Sequence, residues 1–204
     1  MKPSWIGIQG GTCAGKTTFA NHLANALGSP DALIICLDAF FKPYDRKTNA
    51  ANVTAHNFDH PSSLDWRMFE EAVAHLHSGK RAHIPEFEYE TGFRLPGRDV
   101  DPRRYIIVEG LWPFSCRLLC DLLDIRVFVD TPESHRLSRL LLRVGGDRGW
   151  TIESLLEYYM QCSRPMQTEH IDKGRQIADI IVKGDSPFES GVEWVVHTLR
   201  NLIP

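Results

Sequence analysis

Gly10-Gly11-Thr12-Cys13-Ala14-Gly15-Lys16-Thr17 fits the pattern G-x-x-x-x-G-K-[ST] without a gap. Its four fixed positions would coincide by chance about once in a hundred chains of this length. Glycines at those places let successive backbone N–H groups turn inward and cradle phosphate oxygens. A helix starting at Lys16 adds the positive end of its dipole. In such a loop the lysine, here Lys16, reaches the β- and γ-phosphates, and the hydroxyl, here Thr17, holds Mg²⁺.

The flanks supply the context that the loop needs. Ser4 to Gln9 reads as a short apolar strand. Lys16 to Leu27 carries Phe19, Ala20, Leu23, Ala24 and Leu27 as a helical stripe, ended by Gly28 and Pro30. Further strands are predicted at Ala32–Leu37, Tyr105–Val108, Ile125–Val129 and Ile177–Val182. Helices are predicted at Ser63–His77, from Pro132, at Thr151–Cys162 and at Phe188–Leu202. Asp38–Asn57 reads as a long loop, and Arg81–Arg98 as a hairpin-like excursion around Phe87 and Tyr89. Continuous apolar strands alternating with helices predict an α/β fold, a parallel sheet covered on both faces.

Composition narrows the function. The chain has 204 residues, so one domain is expected, and roughly 70% of the extended-chain surface can be buried. Apolar residues make up 43% and charged residues 24%, which excludes disorder and coiled coil. No apolar run reaches membrane-spanning length, and no signal peptide is visible. The net charge of −3 disfavours a non-specific nucleic-acid binder. Five cysteines in no zinc pattern point to a reduced, cytoplasmic chain.

A phosphate loop names a nucleotide, not a reaction. No N-K-x-D motif for reading guanine is present, and the strand YIIV ends in Glu109-Gly110 rather than in Asp. Both features favour a small-molecule kinase. Such chemistry needs a proton acceptor and charge neutralisation. Asp38 follows directly after a strand, where a side chain enters the ligand crevice, and it can take a hydroxyl proton. Glu109, ending another strand, can bind Mg²⁺. Arg136, Arg139 and Arg143 share a helix face opposite Leu137, Leu140, Leu141 and Val144. The glycine-jointed segment Gly145–Gly149, with Arg148, follows them, and the whole reads as a lid over about 139–151.

Taken in order, these motifs resemble the uridine kinase–phosphoribulokinase family of P-loop kinases. The resemblance rests on GGTCAGKTT, LDAFFKP, FDHPSSLDW, PEFEYETGFR, IIVEGLWPF, FVDTPESHRLSRLLLR and IADIIV. It implies a five-stranded parallel core sandwiched by helices, a β-hairpin substrate arm and an arginine lid. It implies ATP and Mg²⁺, with Gly10 to Thr18, Arg143 and Arg148 on the nucleotide and Thr17 and Glu109 on the metal. Lys16, Asp38, Arg139 and Arg143 become the catalytic set, with Asp38 the base. Asp59 is expected to hold a ribose-type hydroxyl, and Phe41, Phe87, Tyr89, Arg94, Trp150 and Tyr158 to meet the acceptor.

The acceptor side departs from the family. Uridine kinases usually read P-x-Y-D-F-x-x-H-x-R in the hairpin, and here the Tyr and His positions are Phe87 and Gly92. Their lid usually reads R-L-x-R-R-x-x-R-D-x-x-x-R-G-R, and here the second Arg of the pair is Leu140 and the last is Trp150. Tyr158 stands where a Gln often does. Leu140, Trp150, Phe87, Tyr89 and Tyr158 are therefore expected to form a more aromatic, apolar pocket. The expected activity is phosphoryl transfer from ATP to a primary hydroxyl of a nucleoside or sugar-like metabolite. The alternatives are a nicotinamide riboside kinase-like or other sugar or vitamin alcohol kinase, and a non-catalytic nucleotide-binding regulator. A homo-oligomer stays open; nucleic-acid and membrane partners are not expected.

Overall fold

The structure, a computed structural model, describes residues 2–44, 56–144 and 151–202. Arg148, Trp150 and the Gly145–Gly149 part of the expected lid lie outside the described residues, as does most of the loop after Asp38. Seven strands and seven helices are described, in the order β1 (Ser4–Gly10), α1 (Lys16–Leu27), β2 (Ala32–Cys36), α2 (Trp66–His77), β3 (Ala82–Glu88), β4 (Phe93–Val100), β5 (Tyr105–Gly110), α3 (Arg117–Cys120), β6 (Leu123–Asp130), α4 (Glu133–Val144), α5 (Ile152–Tyr158), α6 (Arg164–Met166), β7 (Ile180–Lys183) and α7 (Glu189–Leu202).

Five strands pair in parallel in the order β2-β5-β1-β6-β7. The strands of the middle are buried on both faces because period-2 alternation serves two cores at once. Trp5, Ile35, Ile106 and Val108 meet Phe69, Val73 and Leu76 of α2. Ile6, Ile8, Ile107 and Val127 meet Phe19 and Leu23 of α1 and Val192, Val195 and Leu199 of α7. β3 and β4 form the separate antiparallel arm, with a register shift between Ile84 and Glu86. Among the described residues no helix is long and apolar enough to cross a membrane.

Three local expectations are corrected. The helix expected from Ser63 starts at Trp66, because Asp65 caps it by accepting from the Met68 N–H at 3.2 Å. Leu64, read as part of that helical stripe, instead bridges Phe41 in extended pairing. The last strand begins at Ile180, not Ile177, because Gly174–Ile177 closes a turn and Asp179 still bonds Arg126.

The helix expected to end at Cys162 is the third correction. After Tyr158 the chain widens into a π-type turn over Tyr159–Ser163, passes through α6, and widens again over Gln167–Ile171. Pro165 lacks an N–H and would break a regular helix. Wide turns on either side let the coil continue past it.

The turn that carries Asp38 is anchored in the core. Phe40, next but one, is fully buried against Phe69 of α2 with ring centroids 5.3 Å apart, edge to face. Phe69→Ala should cost about 3–5 kcal/mol and lower Tm by on the order of 10 °C in a thermal melt. A change within 2 °C would mean that the turn is held by something else.

Candidate active site

The loop between β1 and α1 is a tight, externally braced structure. Cys13 (φ 60°) and Gly15 (φ 102°) take left-handed backbone, and the Ala14 N–H closes a turn on the Gly11 carbonyl at 3.1 Å. A non-glycine residue rarely tolerates that φ, so Cys13 stores strain in the loop. The Thr131 hydroxyl donates to the Ala14 carbonyl at 2.8 Å. Arg139 donates to the carbonyls of Cys13 (3.3 Å), Ala14 (3.4 Å) and Gly184 (2.8 Å). Gly15, which precedes α1, makes no side-chain cap, so the first N–H groups of the helix are available to an anion. The Lys16 ammonium donates to the Gly11 carbonyl at 2.9 Å. A Cβ on Gly11 would meet Gln167 Oε1 and lie 2.8 Å from Arg136 Nη1, so a side chain there would displace the ends of both.

The carboxylates come from neighbouring strand ends. β1, β5 and β2 are adjacent, and Cys36 is in register with Glu109. Glu109 is 2% exposed and accepts from the Thr17 hydroxyl at 2.9 Å. Burial holds its carboxyl above the usual range, and the Lys16 charge opposes that rise. Asp38 lies in a 3₁₀ turn, Leu37–Phe40, immediately beyond β2, and its charge reaches Glu109. Its Oδ2 accepts from the Tyr89 phenol at 2.6 Å. The sequence-expected base, metal carboxylate, lysine and threonine thus lie at one end of the sheet.

Asp59, expected to hold a ribose-type hydroxyl, is set among protein hydroxyls. It is buried, and it accepts from Thr12 Oγ1 at 2.8 Å, from Ser163 Oγ at 2.9 Å and from the Tyr158 phenol. The Tyr158 oxygen also accepts from the Phe58 N–H at 2.8 Å. In this arrangement the Asp59 oxygens and the Tyr158 hydroxyl are engaged with protein groups. Burial raises the Asp59 carboxyl above its ordinary value, and the hydroxyl donors hold that rise back.

The remaining acceptor-side residues divide. Phe41 and Phe87 are core residues, 5.4 Å apart between ring centroids and packed with Phe58. Arg94 pins the Phe41 carbonyl at 3.0 Å and Asp65 at 3.3 Å. Among the described residues Leu140 packs with Leu155 and Tyr159 rather than with Phe87 or Tyr158, because α4 lays that face on α5. The three arginines of α4 lie in three different environments. Arg136 is 8% exposed and donates to the Thr131 carbonyl, Arg139 braces the loop, and Arg143 is exposed with its charge felt at Tyr89.

Two residues of the site were not singled out from sequence. Ser163 reaches Asp59 from the wide turn, and its only sequence signal is Pro165 two positions on. Gln9 joins the Ile171 carbonyl to the Phe114 N–H from inside β1, at 2.9 and 3.0 Å. A polar residue in an otherwise apolar strand was the signal there.

The family model of the phosphoribulokinase/uridine kinase family matches residues 5–186. Uridine-cytidine kinase B of Dictyostelium discoideum is 35% identical over 203 residues, covering 98% of this chain and 82% of that protein. A uridine kinase of Halobacterium salinarum is 32% identical over 183 residues, covering 87% of this chain and 78% of that protein. In structure, the chain overlays phosphoribulokinase from Rhodobacter spheroides with a TM-score of 0.62 at 15% identity, covering 89% of this chain and 70% of that one. It overlays D-glycerate 3-kinase from Cryptococcus neoformans with a TM-score of 0.61 at 15% identity, covering 91% and 88%. Those two likenesses speak for the fold.

The Thr12–Asp59 bond makes a pH-dependent prediction. Asp59 has a higher pKa folded than unfolded, so acidification through the folded value favours the fold at this site, and rising pH through it removes that contribution. Thr12→Val deletes a donor to the charged form and should cost about 1–3 kcal/mol at neutral pH, whereas Thr12→Ser should be near neutral. The Val penalty should shrink as pH falls and the carboxyl protonates. Urea titrations of the three proteins across pH check this; a penalty independent of pH would place the effect elsewhere.

Proposed function

The chain belongs to the phosphoribulokinase/uridine kinase family, phosphotransferases acting on a hydroxyl group, and we propose that it moves the γ-phosphoryl group of ATP to a primary hydroxyl of a nucleoside or sugar-like metabolite. The observation that carries this reading is the meeting of Lys16, Thr17–Glu109 and Asp38 at adjoining strand ends. The donor set fits the implied ligands. The hydroxyl and carboxylate oxygens of Thr17 and Glu109 are hard ligands of the kind Mg²⁺ takes. The loop's glycines and the open start of α1 suit a polyphosphate. When bound, MgATP supplies the phosphoryl group and divalent charge.

The chain's own residues do the rest. Lys16 exchanges the Gly11 carbonyl for phosphate oxygens and neutralises charge that builds there. Arg139 keeps the loop in shape through its backbone contacts. Arg143, exposed near Tyr89, is free of the packing that holds Arg136 and supplies positive charge over the reacting groups. Asp38 accepts the hydroxyl proton of the acceptor.

The acceptor is the finer question. The relatives' names put uridine and cytidine first. A second reading has support from two positions. Phe87 is an apolar core ring, and Gly92 holds a left-handed turn (φ 77°) whose carbonyl accepts from Tyr44 at 2.8 Å. Neither offers a side-chain donor to a pyrimidine. A site without those donors discriminates weakly in favour of that base. Nicotinamide riboside and other sugar or vitamin alcohols therefore belong beside the pyrimidine nucleosides.

Coupled ADP release with MgATP across uridine, cytidine, nicotinamide riboside, adenosine, ribose, ribulose 5-phosphate and pantothenate tests this. Saturable turnover with one acceptor is expected, falling on the order of 10²- to 10⁴-fold in Asp38→Asn. Lys16→Ala should depress turnover with every acceptor. Turnover untouched by Asp38→Asn would remove the base. Tight ATP binding without ADP release from any acceptor would favour the regulator.

A further inference from the structure

The Tyr89 phenol lies 2.6 Å from Asp38 Oδ2, and it comes from a different part of the fold. Asp38 stands on the turn after β2; Tyr89 follows directly on β3, where the arm begins its own turn. The bond therefore ties the arm to the carboxylate. The phenol is well placed to be a lasting donor. Burial, with the Asp38 charge next, pushes Tyr89 well above the usual phenol range, so it keeps its proton at any physiological pH. The ring is fixed by Phe87 at 5.4 Å and Phe41 at 6.4 Å between centroids, both edge to face. Phe41 is itself held through its carbonyl by Arg94, from β4 of the same arm. The family's hairpin pattern, as given above, has Phe at this place, which has no donor to offer.

We propose that Tyr89 is a positioning residue for Asp38: its phenol takes Oδ2, turns the carboxylate, and leaves Oδ1 to receive the acceptor's hydroxyl proton. A carboxylate on a free rotamer samples several orientations; one oxygen pinned at 2.6 Å removes most of them. Because the donor rides on the arm, the base is aligned only while the arm is docked. An acceptor that lets the arm dock is thereby matched to an aligned base, and arm displacement leaves the base unaligned. This rests on the kinase reading, with Asp38 as its base.

The test is a double-mutant cycle on the full chain with Tyr89→Phe, Asp38→Asn and both. ATP consumption is followed with MgATP and uridine as the acceptor probe, and in parallel with water as the sole acceptor. Tyr89→Phe should lower kcat on the order of tenfold to a hundredfold, the worth of a hydrogen bond to a charged group, with KM for ATP unchanged. In the Asp38→Asn background the same change should cost little, because Tyr89 acts through the carboxylate. An equal loss in both backgrounds would overturn the proposal while leaving the kinase reading intact. No loss from Asp38→Asn itself would overturn the base and the proposal together. Tyrosine labelled with ¹³C at Cζ gives a reading that needs no turnover. The resonance missing from Tyr89→Phe should move in Asp38→Asn, and an unmoved resonance would overturn the proposal.

Discussion

A carboxylate taken out of water must be met by donors, and Asp59 is met by three hydroxyls from two segments far apart in the chain. Thr12 comes from the phosphate loop, Ser163 from the wide turn, and Tyr158 from the end of α5. Satisfying one buried group therefore fixes the loop, the segment Phe58–Ser63 and the coil Ile152–Ser163 relative to one another. Such networks are rigid when complete, because loss of any one partner leaves a buried polar group unpaired. The phosphate loop gains a brace on one side from Asp59, and on the other from Thr131 and Arg139. Its left-handed turns at Cys13 and Gly15 persist because the surroundings leave no alternative.

That constraint divides the molecule into two halves of different character. The phosphate half is built from backbone geometry and from groups at fixed strand ends, so its function follows from the fold. The acceptor half is built from side chains on the arm and the Phe58–Ser63 segment. There Phe41, Phe58 and Phe87 pack on one another, and Tyr89 joins Asp38. Aromatic packing of this kind holds a shape without offering hydrogen-bonding groups.

How much of this can be read from residues alone follows the same division. The helix Lys16–Leu27 is found at its observed bounds, because a phosphate loop starts it and Gly28 ends it. The parallel sheet is legible from the apolar runs, which have no reason to be continuous unless both faces are covered. Lys16, Thr17, Glu109 and Asp38 are legible because spacing and strand ends place them. The roles around Asp59 are not. What surrounds this carboxylate depends in part on what a helix a hundred residues later brings to it, and Ser163 arrives on the wide turn that precedes Pro165. Leu140 likewise looks like a pocket residue from its place in a motif, but α5 covers it. The arginines show the same limit: a shared helix face gave three different environments for Arg136, Arg139 and Arg143.

The account stands on transfer to an alcohol rather than to water. Proton-coupled ³¹P NMR of the reaction mixture distinguishes the two directly. Phosphate bound to a CH₂–O group splits into a triplet through its two neighbouring protons, while inorganic phosphate gives a single line. A new triplet growing as the γ-phosphate signal of ATP fades is the expected result. Loss of the γ-phosphate signal to inorganic phosphate alone, with every acceptor, would contradict it and make the chain a hydrolase on a kinase scaffold.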